Sequence, residues 1–212
     1  MQRTRCLALD SHGHTQRVTS DDGRCVLRAR TAGDLSACAQ LACEVHIVDG
    51  YPVEVPGGDF LAFVKGTDAL GAWVAEIERN LVGHVALHRA SSPAAMRLAR
   101  SKLEVPASSL GIVARLLVAP SARRSGIGSR LLSVAANEAR ARGLAPILDV
   151  VSRHRDAIAL YERENWTRLG STHVTLMNGK TVDEYVYAAP LLRCQNQIAQ
   201  PRRHKSRHTA SL

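Results

Sequence analysis

Aromatic residues are scarce in this sequence, at 4% of 212 residues, and long apolar runs are absent. A membrane span needs about 20 consecutive apolar residues, and no stretch of the chain approaches that length. The start of the chain also lacks the apolar segment of a secretory signal. We therefore expect no membrane partner, and we predict a cytoplasmic protein with a mostly aliphatic core.

The five cysteines are odd in number and include no C-x-x-C pair. Such pairs, and regular cysteine spacings, are typical of zinc sites and disulfide scaffolds. The sequence therefore predicts neither of these, nor any other metal site. Cys38 and Cys43 are expected to be small apolar side chains on one helix.

The net charge of +9 is distributed unevenly. The segment 191–212 contains no acidic residue and five basic ones, which are Arg193, Arg202, Arg203, Lys205 and Arg207. It has no apolar periodicity, which is typical of a solvated, disordered tail. Such a tail attracts polyanions weakly, so no specific nucleic-acid partner is expected. A nucleic-acid- or ribosome-associated protein that acts through this tail remains an alternative.

The rest of the chain predicts one domain with a short segment before it. Residues 1–23 are polar, without a sustained period, and are expected to be disordered or peripheral. Residues 24–190 contain apolar segments of period two that alternate with helical patterns, in the order β-α-α-β-β-(α)-β-α-β-α-β-β. Hairpins such as the one at Asn178-Gly179 therefore mix with crossover connections. We predict an α/β fold with a mixed sheet and helices on both of its faces.

The stretch 115–142 has the most informative local pattern. Apolar residues 116–118 precede the turn Arg123 to Gly128, of pattern R-x-x-G-x-G, and a helical pattern then lasts until Gly143. A strand, a glycine-containing turn and a helix direct several backbone N–H groups at one point, which suits an anion. The third glycine of a dinucleotide-binding turn and the G-K-[ST] of a nucleoside-triphosphate loop are absent. A surface turn without a ligand remains the alternative.

In this context the chain resembles the GNAT superfamily of acetyl-CoA-dependent N-acetyltransferases. Residues 116–120 (LLVAP) and 123–132 (RRSGIGSRLL) are similar to the acetyl-CoA motif of that family. A second part follows at the expected distance, with residues 148–151 (LDVV), 157–163 (AIALYER), Trp166 and Gly170. The resemblance covers about residues 25–190. It implies a GNAT-type twisted sheet that is mixed, mostly antiparallel and built from six to seven strands.

The resemblance implies acetyl-CoA as a co-substrate and assigns the residues that bind it. These are Leu116, Leu117, Val118, Arg123, Arg124, Ser125, Gly126, Ile127, Gly128, Ser129, His154 and Ala157. The amides of residues 124–129 would bind the pyrophosphate, with arginine charge nearby. Backbone groups of Leu116 and Val118 would bind the pantetheine arm in a gap between two strands. His154 stands where the family commonly has asparagine, and Asn165 stands where it usually has glycine.

The implied reaction is direct attack of a primary amine on the thioester carbonyl within a ternary complex. Tyr161 matches the family position whose hydroxyl faces the leaving sulfur, so it is our candidate general acid. A tyrosine that only packs on its helix is the alternative. Family members often carry the general base on the strand before the motif, but residues 112–114 include no carboxylate. The base is left open among a water chain, His84, His88, Glu54 and Glu104.

The acceptor is expected to be a small-molecule or peptide amine, and a homodimer is left open. The absent strand carboxylate and the histidine at position 154 favour a second hypothesis from another class. In that hypothesis the chain is a catalytically weak, acyl-CoA-binding regulatory module of the same fold.

Overall fold

The computed structural model of the chain describes residues 18–19, 25–89 and 91–190. The strands are β1 (Val18–Thr19), β2 (Cys25–Ala29), β3 (Ala69–Ile77), β4 (Asn80–His88), β5 (Leu110–Val118), β6 (Ala145–Val151), β7 (Thr167–Thr175) and β8 (Thr181–Ala188). They form one sheet in the order β1-β2-β3-β4-β5-β6-β8-β7, in which β5 and β6 are parallel and the other neighbours are antiparallel.

The predicted mixed, mostly antiparallel sheet is confirmed. It has seven strands of five to nine residues. The two-residue β1 is added at one edge, inside the segment that we expected to be disordered or peripheral. The predicted basic tail, residues 191–212, lies outside the described residues.

The described helices are α1 (Leu35–Asp49), α2 (Phe60–Lys65), α3 (Pro93–Leu103), α4 (Ile127–Ala141) and α5 (Arg155–Arg163). Short 3-10 turns lie at Ala32–Asp34, Pro56–Gly58, Ala107–Ser109 and Pro120–Ala122. One face of the sheet is covered by α1, α2 and α3, and the other by α4 and α5. Among the described residues, no helix is both long enough and apolar enough to cross a membrane.

The beginning of α1 is determined by local contacts. The Thr31 amide donates to the Asp34 carboxylate at 2.6 Å, in the capping box that the sequence predicts. The Arg28 guanidinium also binds Asp34, with both N–O distances at 2.7 Å, and holds the pKa of that carboxyl well below its usual range. Asp34 therefore joins β2 to the start of α1.

The position of α4 depends on a glycine in the sheet. A Cβ atom at Gly83 of β4 would lie 2.8 Å from Cδ1 of Leu131 and 3.1 Å from Cγ2 of Ile127. Because real Cβ atoms essentially never come within 3.0 Å of another atom, a larger residue here would force the Leu131 side chain of α4 to shift. On the other face, Ala95 and Ala99 of α3 pack in a second core cluster over β5, β6 and β8.

Candidate active site

The strands β5 and β6 separate from each other part-way along their length. Their parallel pairing ends at Ile112 and Ile147, although β5 continues to Val118 and β6 to Val151. Each remains paired with its outer neighbour, β5 with β4 and β6 with β8. The result is a V-shaped gap in the centre of the sheet, and its two inner edges carry backbone groups without a strand partner. Leu116 and Val118 lie on one of these edges, as the resemblance implies.

A β-bulge in β5 shapes this gap. The partners of His84 and Ala86 are Leu117 and Ala114, so β5 contains one extra residue here. Arg115 in the bulge has a left-handed φ of 54°. Its side chain extends towards α2, with Cζ 5.3 Å from the centre of the Phe63 ring. Bulges of this kind re-aim side chains and are common beside functional sites.

His84 is fully buried, and both of its ring nitrogens are engaged. Nδ1 lies 3.0 Å from the Arg115 carbonyl oxygen, and Nε2 lies 3.1 Å from Nη1 of Arg30. Because a guanidinium only donates, Nε2 accepts and Nδ1 carries the proton. Burial lowers the pKa of His84 to about 4. This geometry argues for a neutral histidine that supports the bulge and against a base that takes a proton from the acceptor.

We expect His84 to make the protein less stable as the pH falls. Its pKa is about 4 in the folded protein, against an ordinary value of 6.5. Between these values the unfolded chain binds a proton and the folded protein does not, so the free energy of unfolding falls with the pH. The contribution of His84 to this fall is about 3 kcal/mol.

This prediction can be checked by denaturant unfolding of the wild type and of His84→Asn. The measurements should run from pH 7 to pH 4, about the range between the two pKa values. The asparagine amide can still donate to the Arg115 carbonyl, but it does not titrate. The variant should therefore lose this part of the pH dependence. Two parallel stability curves would show that His84 is not its source.

The turn before α4 has the features of an anion site. Gly126 precedes the helix in a left-handed conformation, with φ of 79°, and no side chain caps it. The Arg130 amide donates the first helical hydrogen bond, to the Gly126 carbonyl at 3.1 Å. The N–H groups of Ile127, Gly128 and Ser129 therefore have no acceptor within the helix. Together with the helix dipole, they suit a phosphate group.

The two arginines of this turn have different surroundings. The Arg123 guanidinium binds both carboxylate oxygens of Asp49 at the end of α1, at 3.0 and 2.6 Å. Arg124 is exposed, and its side chain has no hydrogen bond or ion pair with the described part of the chain. The sequence alone assigned both arginines to the binding of acetyl-CoA. The structure separates them, because Asp49 already neutralises the charge of Arg123.

Loss of the Arg124 side chain should therefore weaken the binding of coenzyme A more than loss of Arg123. A hydrogen bond to a charged group contributes about 1.5–3 kcal/mol, so Arg124→Ala is expected to raise the Kd by about 10- to 100-fold. Arg123→Ala removes a partly exposed ion pair, which contributes about 1 kcal/mol or less. Calorimetric titration with coenzyme A compares the two variants. A larger loss in Arg123→Ala would reverse this assignment.

Tyr161 of α5 lies on the other face of the sheet from α1, α2 and α3, and its side chain is 7% exposed. Its ring centre is 6.3 Å from that of Trp166 and 5.9 Å from that of Tyr187, the strand partner of Leu148 in β6. Within the described residues its hydroxyl has no hydrogen-bond partner. Burial raises the pKa of Tyr161. A protonated hydroxyl without an internal acceptor can donate to a ligand.

His154 is the residue at which the fit of a coenzyme can be tested. It directly precedes α5, and its ring meets that of Tyr51 edge-on at 5.8 Å. Its Nε2 is buried without a hydrogen-bond partner, and burial lowers its pKa, which favours the neutral ring. Buried polar atoms without partners are uncommon and point to a ligand. A neutral imidazole can hydrogen-bond to the amides of a pantetheine arm, so the residues present fit coenzyme A.

The family model that describes the "Acetyltransferase (GNAT) family" matches residues 21–165, more than half of the chain. The chain belongs to the GNAT acetyltransferase family. No curated protein matches the sequence at a significant level. The predicted resemblance is confirmed, and acetyl-CoA as co-substrate is confirmed at the level of the family.

Solved structures show the same fold at low sequence identity. The ribosomal-protein-S18-alanine N-acetyltransferase from Escherichia coli is 18% identical, with a TM-score of 0.56 over 78% of this chain and 93% of that one. NAA60 from Arabidopsis thaliana, in complex with acetyl-CoA, is 22% identical, with a TM-score of 0.58 over 77% and 97%. The yncA protein from Salmonella typhimurium, with its cofactor acetyl-CoA, is 17% identical, with a TM-score of 0.57 over 84% and 98%.

In this GNAT chain Asp149 is a site residue that the sequence analysis did not single out. It lies two positions beyond the last paired residue of β6, Ile147, and the corresponding position of β5 is Ala114. Its side chain lies on the α3 face, where the Ser91 hydroxyl donates to Oδ1. Burial raises the pKa of Asp149. A signal was present, since an acidic residue inside the buried strand sequence PILDVV is unusual.

The four side chains that we considered as bases are placed differently. His88 binds Asp68 through Nδ1, at 2.8 Å, and the Arg115 guanidinium through Nε2. The Glu54 carboxylate accepts the amide of Met177, and Glu104 lies at the C-terminal end of α3. His84 is engaged on both sides, as described above. The carboxylate that borders the gap is instead that of Asp149. A water chain between the acceptor and Asp149 is compatible with this position.

Tyr51 brings the loop between α1 and α2 into the same region. Its hydroxyl hydrogen-bonds to the backbone of Arg115 in the bulge, and its ring packs edge-on against Phe63 at 6.1 Å. Burial raises the pKa of Tyr51 to about 12, with a further contribution from Asp149. The contacts of Tyr51 place it beside the bulge of β5 in this acetyltransferase.

Proposed function

We propose that this GNAT protein transfers the acetyl group of acetyl-CoA to a primary amine, by direct attack within a ternary complex. One observation carries the proposal. A half-buried carboxylate, Asp149, and a buried tyrosine, Tyr161, lie on opposite faces of the gap between β5 and β6. An acid and a base on the two sides of one reacting carbon are the groups that this reaction requires.

Each part of the donor has a candidate binding group. The amides at the start of α4 and the Arg124 side chain suit the pyrophosphate. The free edge of β5, with Leu116 and Val118, suits the pantetheine arm, and the unpartnered Nε2 of His154 suits one of its amides. The other residues of the predicted set are Ser125 and Gly126 in the turn, Ile127, Gly128 and Ser129 at the start of α4, Ala157 in α5, Leu117, which pairs with His84 of β4, and Arg123, which binds Asp49.

When bound, acetyl-CoA supplies the acetyl group as a thioester with an electrophilic carbonyl carbon. Asp149 is assigned to take a proton from the acceptor ammonium, which leaves a nitrogen lone pair for attack. The C–N bond forms and the C–S bond breaks. The Tyr161 hydroxyl is assigned to give its proton to the departing sulfur, since burial keeps that hydroxyl protonated. The second proton that the nitrogen loses as the amide forms passes through water to the Tyr161 phenolate and restores its hydroxyl.

The second hypothesis is a catalytically weak, acyl-CoA-binding regulatory module. It drew support from the absence of a carboxylate on β5. A half-buried carboxylate on β6 weakens that support, because Asp149 borders the same gap from the other side. The position of Asp149 therefore favours the enzyme.

Release of the free coenzyme A thiol, measured with and without amines, separates the two hypotheses. The panel should contain alkyl amines, amino acids and short peptides with free N-termini. An enzyme releases thiol faster with at least one amine than with water alone, and mass spectrometry finds the acetylated amine. Tight binding of coenzyme A with no amine-dependent release would favour the module.

A further inference from the structure

We propose that Glu184 makes this enzyme selective for acceptors that carry a second cationic group close to the reacting amine. The inference rests on the proposed function and names a class of acceptor for it, short aliphatic diamines. It is carried by the buried carboxylate of Glu184 beside Asp149, one oxygen of which has no hydrogen-bond partner within the described residues.

Glu184 lies on β8, the strand beside β6 on the side away from the gap. It pairs with Val151, the last residue of β6, while Asp149 pairs with Val186. Directly paired residues of antiparallel strands share a face, and so do residues two positions apart. Asp149 and Glu184 are therefore diagonal neighbours on the α3 face of the sheet, with Cβ atoms about 7 Å apart.

The Glu184 side chain has an unfilled hydrogen-bonding capacity. The residue is 7% exposed, and its Oε2 has no partner among the described residues. Two serines before α3 contact the two carboxylates, since Ser91 donates to Asp149 and Ser92 hydrogen-bonds to Glu184. No arginine or lysine bonds to either one within the described residues.

Glu184 is buried and Asp149 is half-buried, and two neighbouring carboxylates without a cation repel each other, so the charged state of Glu184 is disfavoured. Burial and the charge of Asp149 raise its pKa to about 7. An ammonium group near Oε2 would satisfy the oxygen and offset this repulsion. If Asp149 takes the proton of the reacting amine, Glu184 is placed to bind a second ammonium group on the same acceptor. A separation of about 7 Å suits a short aliphatic diamine.

The test compares diaminobutane with butylamine, which have the same carbon chain and differ in the second amine. We expect the wild type to prefer diaminobutane in kcat/KM by about 10- to 100-fold, the range of a charge-assisted hydrogen bond. Glu184→Gln keeps the size of the side chain and should reduce this ratio to near one. The matched control is Asp183→Asn, on an exposed side chain of the same strand, which should keep the wild-type ratio.

A wild type without this preference, or Glu184→Gln with the wild-type ratio, would overturn the inference while the proposed function stands. Failure of the proposed function differs, because no amine would then increase thiol release. Calorimetric titration of diaminobutane into the protein saturated with coenzyme A gives a readout that does not require turnover. It should detect binding to the wild type and to Asp183→Asn, and weaker binding to Glu184→Gln. Equal binding to all three would also overturn the inference.

Discussion

Replacement of Tyr161 by phenylalanine is expected to lower kcat by about 100-fold or more, the usual contribution of a positioned general acid. The substitution removes one oxygen atom and keeps the ring that packs against Trp166 and Tyr187. Because the hydroxyl has no hydrogen bond within the described residues, its loss should leave the free energy of unfolding and the Kd for coenzyme A near their wild-type values. Steady-state kinetics, calorimetry and denaturant unfolding together check these outcomes.

Tyr187→Phe is the matched control for this variant. The Tyr187 ring contacts that of Tyr161, but its hydroxyl donates to Oε1 of Glu162, at 3.1 Å, and so has an acceptor of its own. The control should therefore keep the wild-type kcat. An unchanged kcat in Tyr161→Phe would leave Tyr161 as a residue that only packs. An equal loss in both variants would indicate a packing defect rather than a missing proton donor.

Replacement of Asp149 by asparagine is the second substitution with a large expected effect, again about 100-fold or more in kcat. Asparagine has nearly the same shape and can keep a hydrogen bond with Ser91, but it cannot take a proton. Asp183→Asn, on the neighbouring strand, is an exposed control that should keep wild-type activity. Wild-type kcat in Asp149→Asn would assign the base elsewhere, for instance to a water chain.

The pH dependence of kcat tests Asp149 in another way. The base must be deprotonated to act, and burial raises its pKa, so kcat should rise with pH at values above the ordinary range of an aspartate. The Ser91 hydrogen bond lowers this pKa, so Ser91→Ala should move the rising limb to higher pH. Asp149→Asn should lose the limb. A limb at the same pH in all three proteins would show that another group titrates.

The sequence predicted well those features that depend on neighbours along the chain. The capping box at Thr31 and Asp34, the helical pattern of α4 and the hairpin at Asn178-Gly179 are all confirmed. Hydrogen bonds and backbone preferences act over a few residues, so local patterns are sufficient to predict them.

The acceptor side of the site was predicted less well, for a physical reason. The resemblance points to a base on β5, but the carboxylate that borders the gap, Asp149, belongs to β6. Which side chains share a gap depends on strand order and on the register of pairing, and both are properties of residues far apart in the sequence. The same applies to Arg123, whose partner Asp49 lies on α1.

The family, the order of strands and helices from β2 onwards, and the turn suited to a pyrophosphate follow from the sequence, because each corresponds to short, contiguous motifs. Which arginine of that turn remains free within the described residues, and which carboxylate borders the gap, depends on tertiary contacts. The tertiary structure also leaves His154 and Glu184 with buried polar atoms that have no partner. These properties arise from burial and from contacts between distant segments, which folding alone brings together.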